Sequence, residues 1–182
     1  MIDTRRLNII DENDNIIGET TREEIHAKGL LHREIHVWLY NSKEIFFQKR
    51  AYDKDTFPGL LDASIGGHVE IGESYEETAV KETEEETGLK INPKDLKLVT
   101  IIRNTAHDEV TGRINNVIRK IFAYEFNGPV SDLRIEKGKA VGFEAVKIDS
   151  LFQMSDEEKR RFIYSVFDDR NLEVFRKIKT FL

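Results

Sequence analysis

Three glutamates near the end of one predicted helix have the residue type and spacing of a metal site. Glu82, Glu85 and Glu86 share an arc of about 100° on a helix that turns by about 100° per residue. Like charges at these spacings cost about 0.2–0.5 kcal/mol, and the helix dipole also disfavours acids in the last turns. Three unfavourable residues on one face therefore indicate a functional constraint.

The chemistry that suits such a cluster is the binding of Mg²⁺ or Mn²⁺. These ions accept carboxylate oxygens and keep several waters, whereas zinc prefers histidine and cysteine. A cation with open coordination positions can bridge phosphate oxygens and activate an attacking water. The glutamates therefore predict phosphoanhydride chemistry, and the alternative from charge alone is a solvated acidic helix face.

The charge of the chain is concentrated around these glutamates. The formal net charge is −6, from 28 Lys and Arg against 34 Asp and Glu. Residues 70–86 contain eight acids and one base, Lys81, so that the rest of the chain is nearly neutral. Concentrated carboxylates repel one another unless a cation lies among them. This again favours a divalent metal.

Turn and capping signals predict the elements that must hold the cluster. Ser74 with Glu77 forms a capping box, and Gly88 is a typical residue after a helix C-terminus. Alternating apolar residues predict a β-hairpin over 34–50. Further strands are predicted over 61–65, which the pair Gly66-Gly67 should end, and over 96–103, 117–126 and 141–148. Two strands and a helix (21–29) precede them, and helices follow from 155 and after 169, as in a mixed α/β or α+β domain.

Length and composition predict one domain over residues 1–182, with an N-terminal extension to about residue 30. The absence of cysteine excludes disulfides, thiolate metal sites and cysteine nucleophiles. We expect a cytoplasmic protein without a membrane span, because no apolar run approaches about 20 residues and no signal-peptide core is present. Composition gives no basic patch, so no nucleic-acid partner is expected. Formation of a homodimer is left open.

Residues 67–89, GHVEIGESYEETAVKETEEETGL, resemble the Nudix box, G-x5-E-x7-R-E-U-x-E-E-x-G-U, in which U is apolar. Two positions depart from it, because Lys81 stands in place of arginine and Thr83 in place of an apolar residue. Lys81 can still pair with the glutamate at position 73, but without the fork of a guanidinium. The matching positions are Gly67, Glu73, Glu82, Glu85, Glu86, Gly88 and Leu89.

The resemblance implies an α/β/α Nudix sandwich with a mixed sheet. It also implies Mg²⁺- or Mn²⁺-dependent hydrolysis of a nucleoside diphosphate linked to another group, so the partner would be a small diphosphate. Glu82, Glu85 and Glu86 would be catalytic residues and metal ligands, the Gly67 carbonyl would complete the shell, and Glu73 would be structural. Many Nudix enzymes take a general base from outside the box. The candidates are Asp108, Glu109, Glu136 and Glu144.

Residues outside the box give candidates for substrate binding. Arg50 lies between a strand and a polar loop, from which a guanidinium can bind a diphosphate through two hydrogen bonds. Arg103 is a second candidate. Trp38 or Phe57 can stack on a base, although core packing is the usual role of such residues.

Residues 8–150 also resemble a Nudix branch close to type 1 isopentenyl-diphosphate isomerase. His32 and His68 resemble metal ligands of that isomerase, but the set is predicted to be incomplete, and His36 is expected to be half-exposed on its strand.

The acid–base groups of the isomerase are missing. Its cysteine position is occupied by Gly66, and its E-x-E positions by Ile114 and Asn116. We therefore predict a pyrophosphohydrolase. The alternatives are an isoprenoid-diphosphate isomerase and a non-catalytic nucleotide-binding module.

Overall fold

Nine strands and five α-helices form the part of the chain that the computed structural model describes, residues 5–182. The strands are β1 (Arg6–Ile10), β2 (Ile16–Thr21), β3 (His32–Tyr40), β4 (Glu44–Arg50), β5 (Leu61–Asp62), β6 (Ile65–His68), β7 (Lys97–His107), β8 (Ile114–Glu125) and β9 (Ala140–Lys147). The helices are α1 (Arg22–Lys28), α2 (Tyr75–Thr87), α3 (Ile148–Leu151), α4 (Asp156–Lys159) and α5 (Asp169–Lys179).

Strand β3 organises a mixed, seven-stranded sheet. It pairs in parallel with β8 and antiparallel with β4 and β6. The main strand order is β5-β4-β3-β8-β7, and β9 pairs with β4. The predicted hairpin is therefore confirmed as β3–β4. The parallel β3–β8 pair needs a long crossover, and that crossover contains α2.

Residues of β3 alternate between two cores. Ile35, Val37 and Leu39 pack in one buried cluster with Tyr75 and Ala79 of α2. The side chains between them belong to the opposite cluster.

Trp38 and Tyr40 pack in that second cluster, which also includes Phe175 and Ile178 of α5. A strand that is apolar on both faces must have a layer on each side. The predicted α/β/α sandwich with a mixed sheet is confirmed.

The glycine pair Gly66-Gly67 does not end a strand, and that prediction was wrong. Both residues lie within β6, where Gly66 pairs with His36 and Gly67 with Ile35. The physical reason is close packing: a Cβ on Gly67 would lie 2.5 Å from Cδ of Glu82. Glycine is required here for the approach of a side chain rather than for a turn.

The later boundaries also differ from the predictions. β7 and β8 are longer than predicted, since their antiparallel pairing continues out to His107 and Ile114. Residues 97–107 of β7 include several polar, exposed side chains on one edge of the sheet, which weakened the apolar signal. Ile148 begins α3 instead of ending β9, and the predicted helix from 155 is the single turn α4.

The N-terminal segment forms its own two-stranded sheet, β1–β2, followed by α1. The Thr21 hydroxyl accepts the Glu24 N–H at 3.2 Å, and Gly29 follows the helix with φ of 62°. An isolated bridge joins Leu7 to Glu70, so this segment contacts the start of the α2 region. Within residues 5–182, no helix combines the length and apolar character that a bilayer crossing needs.

Phe175→Ala should lower the free energy of unfolding by about 3–5 kcal/mol, measured by chemical denaturation. Phe175 is fully buried, and its ring lies 4.9 Å from that of Trp38. Phe152→Ala is the matched control, because Phe152 is 36% exposed. Equal losses in the two variants would contradict the assignment of α5 to the core.

Candidate active site

Helix α2 has the two ends that the sequence predicts. The Ser74 hydroxyl accepts the Glu77 N–H at 3.2 Å, and the Glu77 carboxylate accepts the Ser74 N–H at 2.8 Å. The helix ends before Gly88, which has φ of 73°. Both ends are therefore held, and the last two turns of α2 are presented to β6.

Glu86 is a buried carboxylate at the base of the site, with 0% of its surface exposed. Gln48 of β4 donates to it at 2.5 Å, and the Gly66 N–H donates to its other oxygen at 3.3 Å. Burial raises the pKa of Glu86 to about 7, although the neighbouring Lys139 and Gln48 act in the opposite direction. Burial therefore favours the protonated acid, and a neighbouring cation favours the carboxylate.

Glu82 lies one turn earlier and is packed directly on Gly67. Burial raises its pKa, while Lys139 lowers it. Glu82, Gly67 and the exposed Glu85 line one cavity of about 730 Å³. The structure thus brings together Glu82, Glu85 and Gly67 on the cavity wall, and it places Glu86 beneath them.

Lys139, which the sequence analysis missed, supplies the cation. Its Nζ lies 2.6 Å from Oε1 of Glu86 and 3.2 Å from Oε2 of Glu82. It also donates to the Gly66 carbonyl at 3.4 Å. Lys139 is 57 residues from Glu82 in the chain, so no local spacing signals the contact.

The residues present fit a divalent metal, since the structure already surrounds one positive charge with oxygen ligands. Carboxylate oxygens of Glu82 and Glu86 and a backbone carbonyl form the hard donor set that Mg²⁺ and Mn²⁺ accept. The carbonyl that contacts the ammonium belongs to Gly66. The metal role of the Gly67 carbonyl stays a prediction.

Lys81 takes the place of the Nudix arginine without loss of the ion pair. Its Nζ lies 2.6 Å from Glu73 and 3.2 Å from Glu70. The Thr78 hydroxyl donates to Glu73 at 2.7 Å. The other departure, Thr83, is fully buried, and its hydroxyl donates to the Ala79 carbonyl at 2.6 Å. A hydroxyl satisfied in this way can replace an apolar side chain in a helix.

The two predicted substrate arginines are both engaged elsewhere. Arg50 donates to the Thr56 carbonyl at 2.9 Å and pairs with Asp62 at 3.2 Å. It lines a neighbouring cavity rather than the glutamate cavity. Arg103 pairs with Glu12 at 2.9 Å and is not among the described residues that line the glutamate cavity. Their substrate roles stay predictions.

Other basic side chains line the glutamate cavity instead. They share the wall with six glutamates, and cations of this kind can make charge-assisted hydrogen bonds to the phosphates of a substrate. They are Arg5, Arg22, Lys54, Lys81, Lys137 and Lys139.

The four candidate general bases are separated by the fold. Glu136 lines the glutamate cavity, and its buried Oε2 has no hydrogen-bond partner. Asp108 and Glu109 line a second cavity of about 550 Å³, together with Phe57. Glu144 forms an ion pair with Arg161. Only Glu136 of the four lies on the wall that carries Glu82.

Three imidazoles cluster beside the glutamate cavity. The ligand atoms of His26, His32 and His68 lie within 4.8 Å of one another. Burial lowers the pKa of each ring and so favours the neutral imidazole. His26 comes from α1 and was missed in the sequence, where only His32 and His68 resemble ligands. Neutral imidazoles are a donor set for a transition metal ion.

The acidic ligands of the isomerase pattern are replaced here. The Asn116 side chain donates to the Gly29 carbonyl at 2.8 Å and accepts from Thr105 at 2.9 Å. Its neighbour Ile114 packs on Gly29. Neither residue adds a carboxylate to the histidines.

A buried ion pair lies between the glutamate cavity and the neighbouring cavity that Arg50 lines. Arg119 Nε donates to Glu34 at 2.7 Å, and both side chains are 12% exposed. Burial alone would raise the pKa of Glu34, but Arg119 holds it far below its usual range. His36, beside this pair, is half-buried, in line with its predicted half exposure, and desolvation of its ring lowers its pKa to about 4.

Comparison with known proteins identifies this architecture. The NUDIX domain family model matches residues 30–166. An uncharacterised Nudix hydrolase of Clostridium acetobutylicum is 33% identical over 156 residues, which cover 84% of this chain and 74% of that protein. A second, from Nostoc, is 40% identical over 101 residues, covering 54% of this chain and 60% of that protein.

Solved structures give the same fold. A crystal structure from Deinococcus radiodurans has a TM-score of 0.69 at 21% identity and covers 94% of this chain and 98% of that one. The NUDIX domain of Shewanella oneidensis NrtR, crystallised with ADP-ribose, has a TM-score of 0.57 at 13% identity. It covers 88% of this chain and 98% of that one.

The chain belongs to the Nudix family. It is a Nudix hydrolase, an enzyme that acts on phosphoanhydride bonds, whereas membership of the isomerase-like branch is not established by these matches.

Lys81→Arg should retain or modestly increase hydrolytic activity, because it keeps the charge beside Glu73 and adds a forked donor. Lys81→Met should lower the free energy of unfolding by about 1 kcal/mol, since it leaves Glu73 without its cation. The activity of Lys81→Arg is measured on a diphosphate that the parent hydrolyses. The stability of Lys81→Met is measured by denaturant unfolding. A loss of activity above tenfold in Lys81→Arg would reveal a separate role for Lys81.

His36 should titrate near pH 4 in an NMR pH series, with His36→Gln used to assign its signal. Because the unfolded imidazole has a pKa of about 6.5, the folded state binds fewer protons between these values. The contribution of His36 to stability is therefore complete above about pH 6.5 and is lost as the pH falls towards 4. A midpoint above pH 6 would contradict the burial of this ring.

Proposed function

We propose that this protein is a Mg²⁺- or Mn²⁺-dependent pyrophosphohydrolase that cleaves the diphosphate of a nucleoside diphosphate linked to another group. The observation that carries the proposal is the cation position held by Glu82 and Glu86 beside a cavity that lysines and arginines line together with glutamates. Buried carboxylates without a cation are costly, and a divalent ion satisfies them. The lysines and arginines of the cavity would then meet the remaining charge of the substrate.

Each glutamate of the cluster has a separate role. Glu82 and Glu86 would hold the metal, which would supply charge neutralisation and lower the pKa of a bound water. Glu85 is exposed on the cavity wall, where it can orient the attacking water. Glu136 has a buried carboxylate oxygen without a hydrogen-bond partner and is the best-placed general base.

The second cavity suits the non-reacting part of the substrate. It shares His68 and Arg22 with the glutamate cavity, so the two form one cleft. Phe57 and Tyr164 line it, with ring centroids 5.8 Å apart. Aromatic faces of this kind can stack on a base. ADP-ribose, the ligand of the NrtR domain, is therefore one substrate to test.

A panel assay tests the proposal. It contains nucleoside di- and triphosphates, sugar nucleotides including ADP-ribose, dinucleotides and prenyl diphosphates, each with Mg²⁺ and with Mn²⁺. Release of a nucleoside monophosphate from at least one linked diphosphate is expected. Release from no member of the panel, with nucleotide binding retained, would favour a non-catalytic binding module.

Glu86→Gln should abolish the stabilisation by Mg²⁺ or Mn²⁺, since it removes the buried charge without changing the volume. In the parent, a hundredfold excess of metal over its Kd should add about 2.7 kcal/mol of stability. Glu84→Gln is the matched control, because Glu84 lies on the same helix but is exposed. Thermal unfolding with and without metal measures the effect. An equal rise in stability with metal in the parent and in Glu86→Gln would contradict the metal assignment.

The protein should not convert isopentenyl diphosphate to dimethylallyl diphosphate. The histidine cluster favours an isomerase, but Gly66 has no side chain for proton transfer and Asn116 does not titrate. Incubation with isopentenyl diphosphate and Mg²⁺, followed by product analysis, tests this. An enzyme-like rate of product formation would overturn the hydrolase proposal.

A further inference from the structure

We propose that Lys139 is an internal counter-ion that occupies the metal position while no metal is bound and leaves it when Mg²⁺ or Mn²⁺ binds. Lys139 thereby sets the metal concentration at which the protein binds Mg²⁺ or Mn²⁺. The inference rests on the proposed metal role of Glu82 and Glu86. It concerns a residue outside the Nudix box, on the loop that precedes β9.

The ammonium group occupies the centre of the oxygen cluster. Its Nζ lies 2.6 Å from Glu86 and 3.2 Å from Glu82, and 3.7 Å from Glu136. The Gly66 carbonyl, at 3.4 Å, is a fourth oxygen around it. These oxygens are the donors that a divalent cation would use, so the two cations compete for one position.

The carboxylates have little freedom to meet a metal elsewhere. Glu86 is fully buried, and Gln48 and the Gly66 N–H hold its two oxygens. Glu82 packs so closely on Gly67 that no Cβ would fit between them. A metal bound beside the ammonium would face a like charge at close range. Metal binding therefore requires Lys139 to move.

Lys139 is placed so that it can move. Its side chain is 30% exposed and lines the glutamate cavity. It follows Gly138, which has φ of 80° and no neighbour within 4 Å of a Cβ built on it. A flexible four-carbon side chain can therefore swing its charge into the cavity, where a diphosphate would bind.

The test compares Lys139→Met with Lys137→Met. Lys137 belongs to the same loop and lines the same cavity, but it is exposed, so its variant removes an equal charge without freeing the carboxylates. Mn²⁺ binding is measured by electron paramagnetic resonance, and thermal unfolding is recorded with and without Mn²⁺. Lys139→Met should lower the Kd for Mn²⁺ at least fivefold and lower the metal-free Tm, while Lys137→Met keeps the Kd of the parent.

A second measurement needs no variant. In the parent labelled with ¹⁵N-lysine, the Lys139 ammonium should give a side-chain signal protected from exchange in the absence of metal. That signal should disappear or shift to the position of exposed lysines when Mg²⁺ saturates the site.

The outcomes separate this inference from the proposed function. The counter-ion role is overturned if parent and Lys139→Met bind Mn²⁺ with the same Kd, or if the Lys139 signal does not change when Mg²⁺ binds. Either result leaves the proposed metal site in place. If neither protein binds Mn²⁺, both proposals fail. Binding by Lys139→Met alone would support the counter-ion role in its strongest form.

Discussion

The burial of a carboxylate at the junction of α2, β4 and β6 is the constraint on which the rest of this structure depends. A buried charge is expensive unless it is paired and hydrogen-bonded. Glu86 meets this requirement with Gln48, a backbone N–H of β6 and a cation. Each partner comes from a different element, so the site exists only when the sheet and α2 are assembled.

The sheet provides that assembly because its central strand is apolar on both faces. One set of β3 side chains packs against α2 and the other against α5, so the strand cannot slip by one residue without exchanging its two cores. The glycines of β6, which pair with β3, then bring backbone and carboxylate into contact. Stability and site geometry therefore share the same residues.

Charges of both signs line the cavity. Glu86 lies beneath it, glutamates share the wall with lysines and arginines, and Lys139 pairs with both Glu86 and Glu82. The proposed metal and diphosphate would be complementary to this arrangement, because the metal would bind the carboxylates and the phosphates would meet the lysines and arginines. On the same wall, Lys81 pairs with Glu73 and Glu70.

Local patterns in the chain were sufficient to locate α2, its caps and its three glutamates, since periodicity, capping and charge repulsion act within a few residues. The same patterns failed for Gly66-Gly67, which were predicted to end a strand but lie within β6, in close contact with Glu82. Lys139 and His26 had no local signal, because contacts over long chain separations bring them to the site. Tertiary packing alone decided that Lys139 lies among the carboxylates and that Glu136 lies beside them.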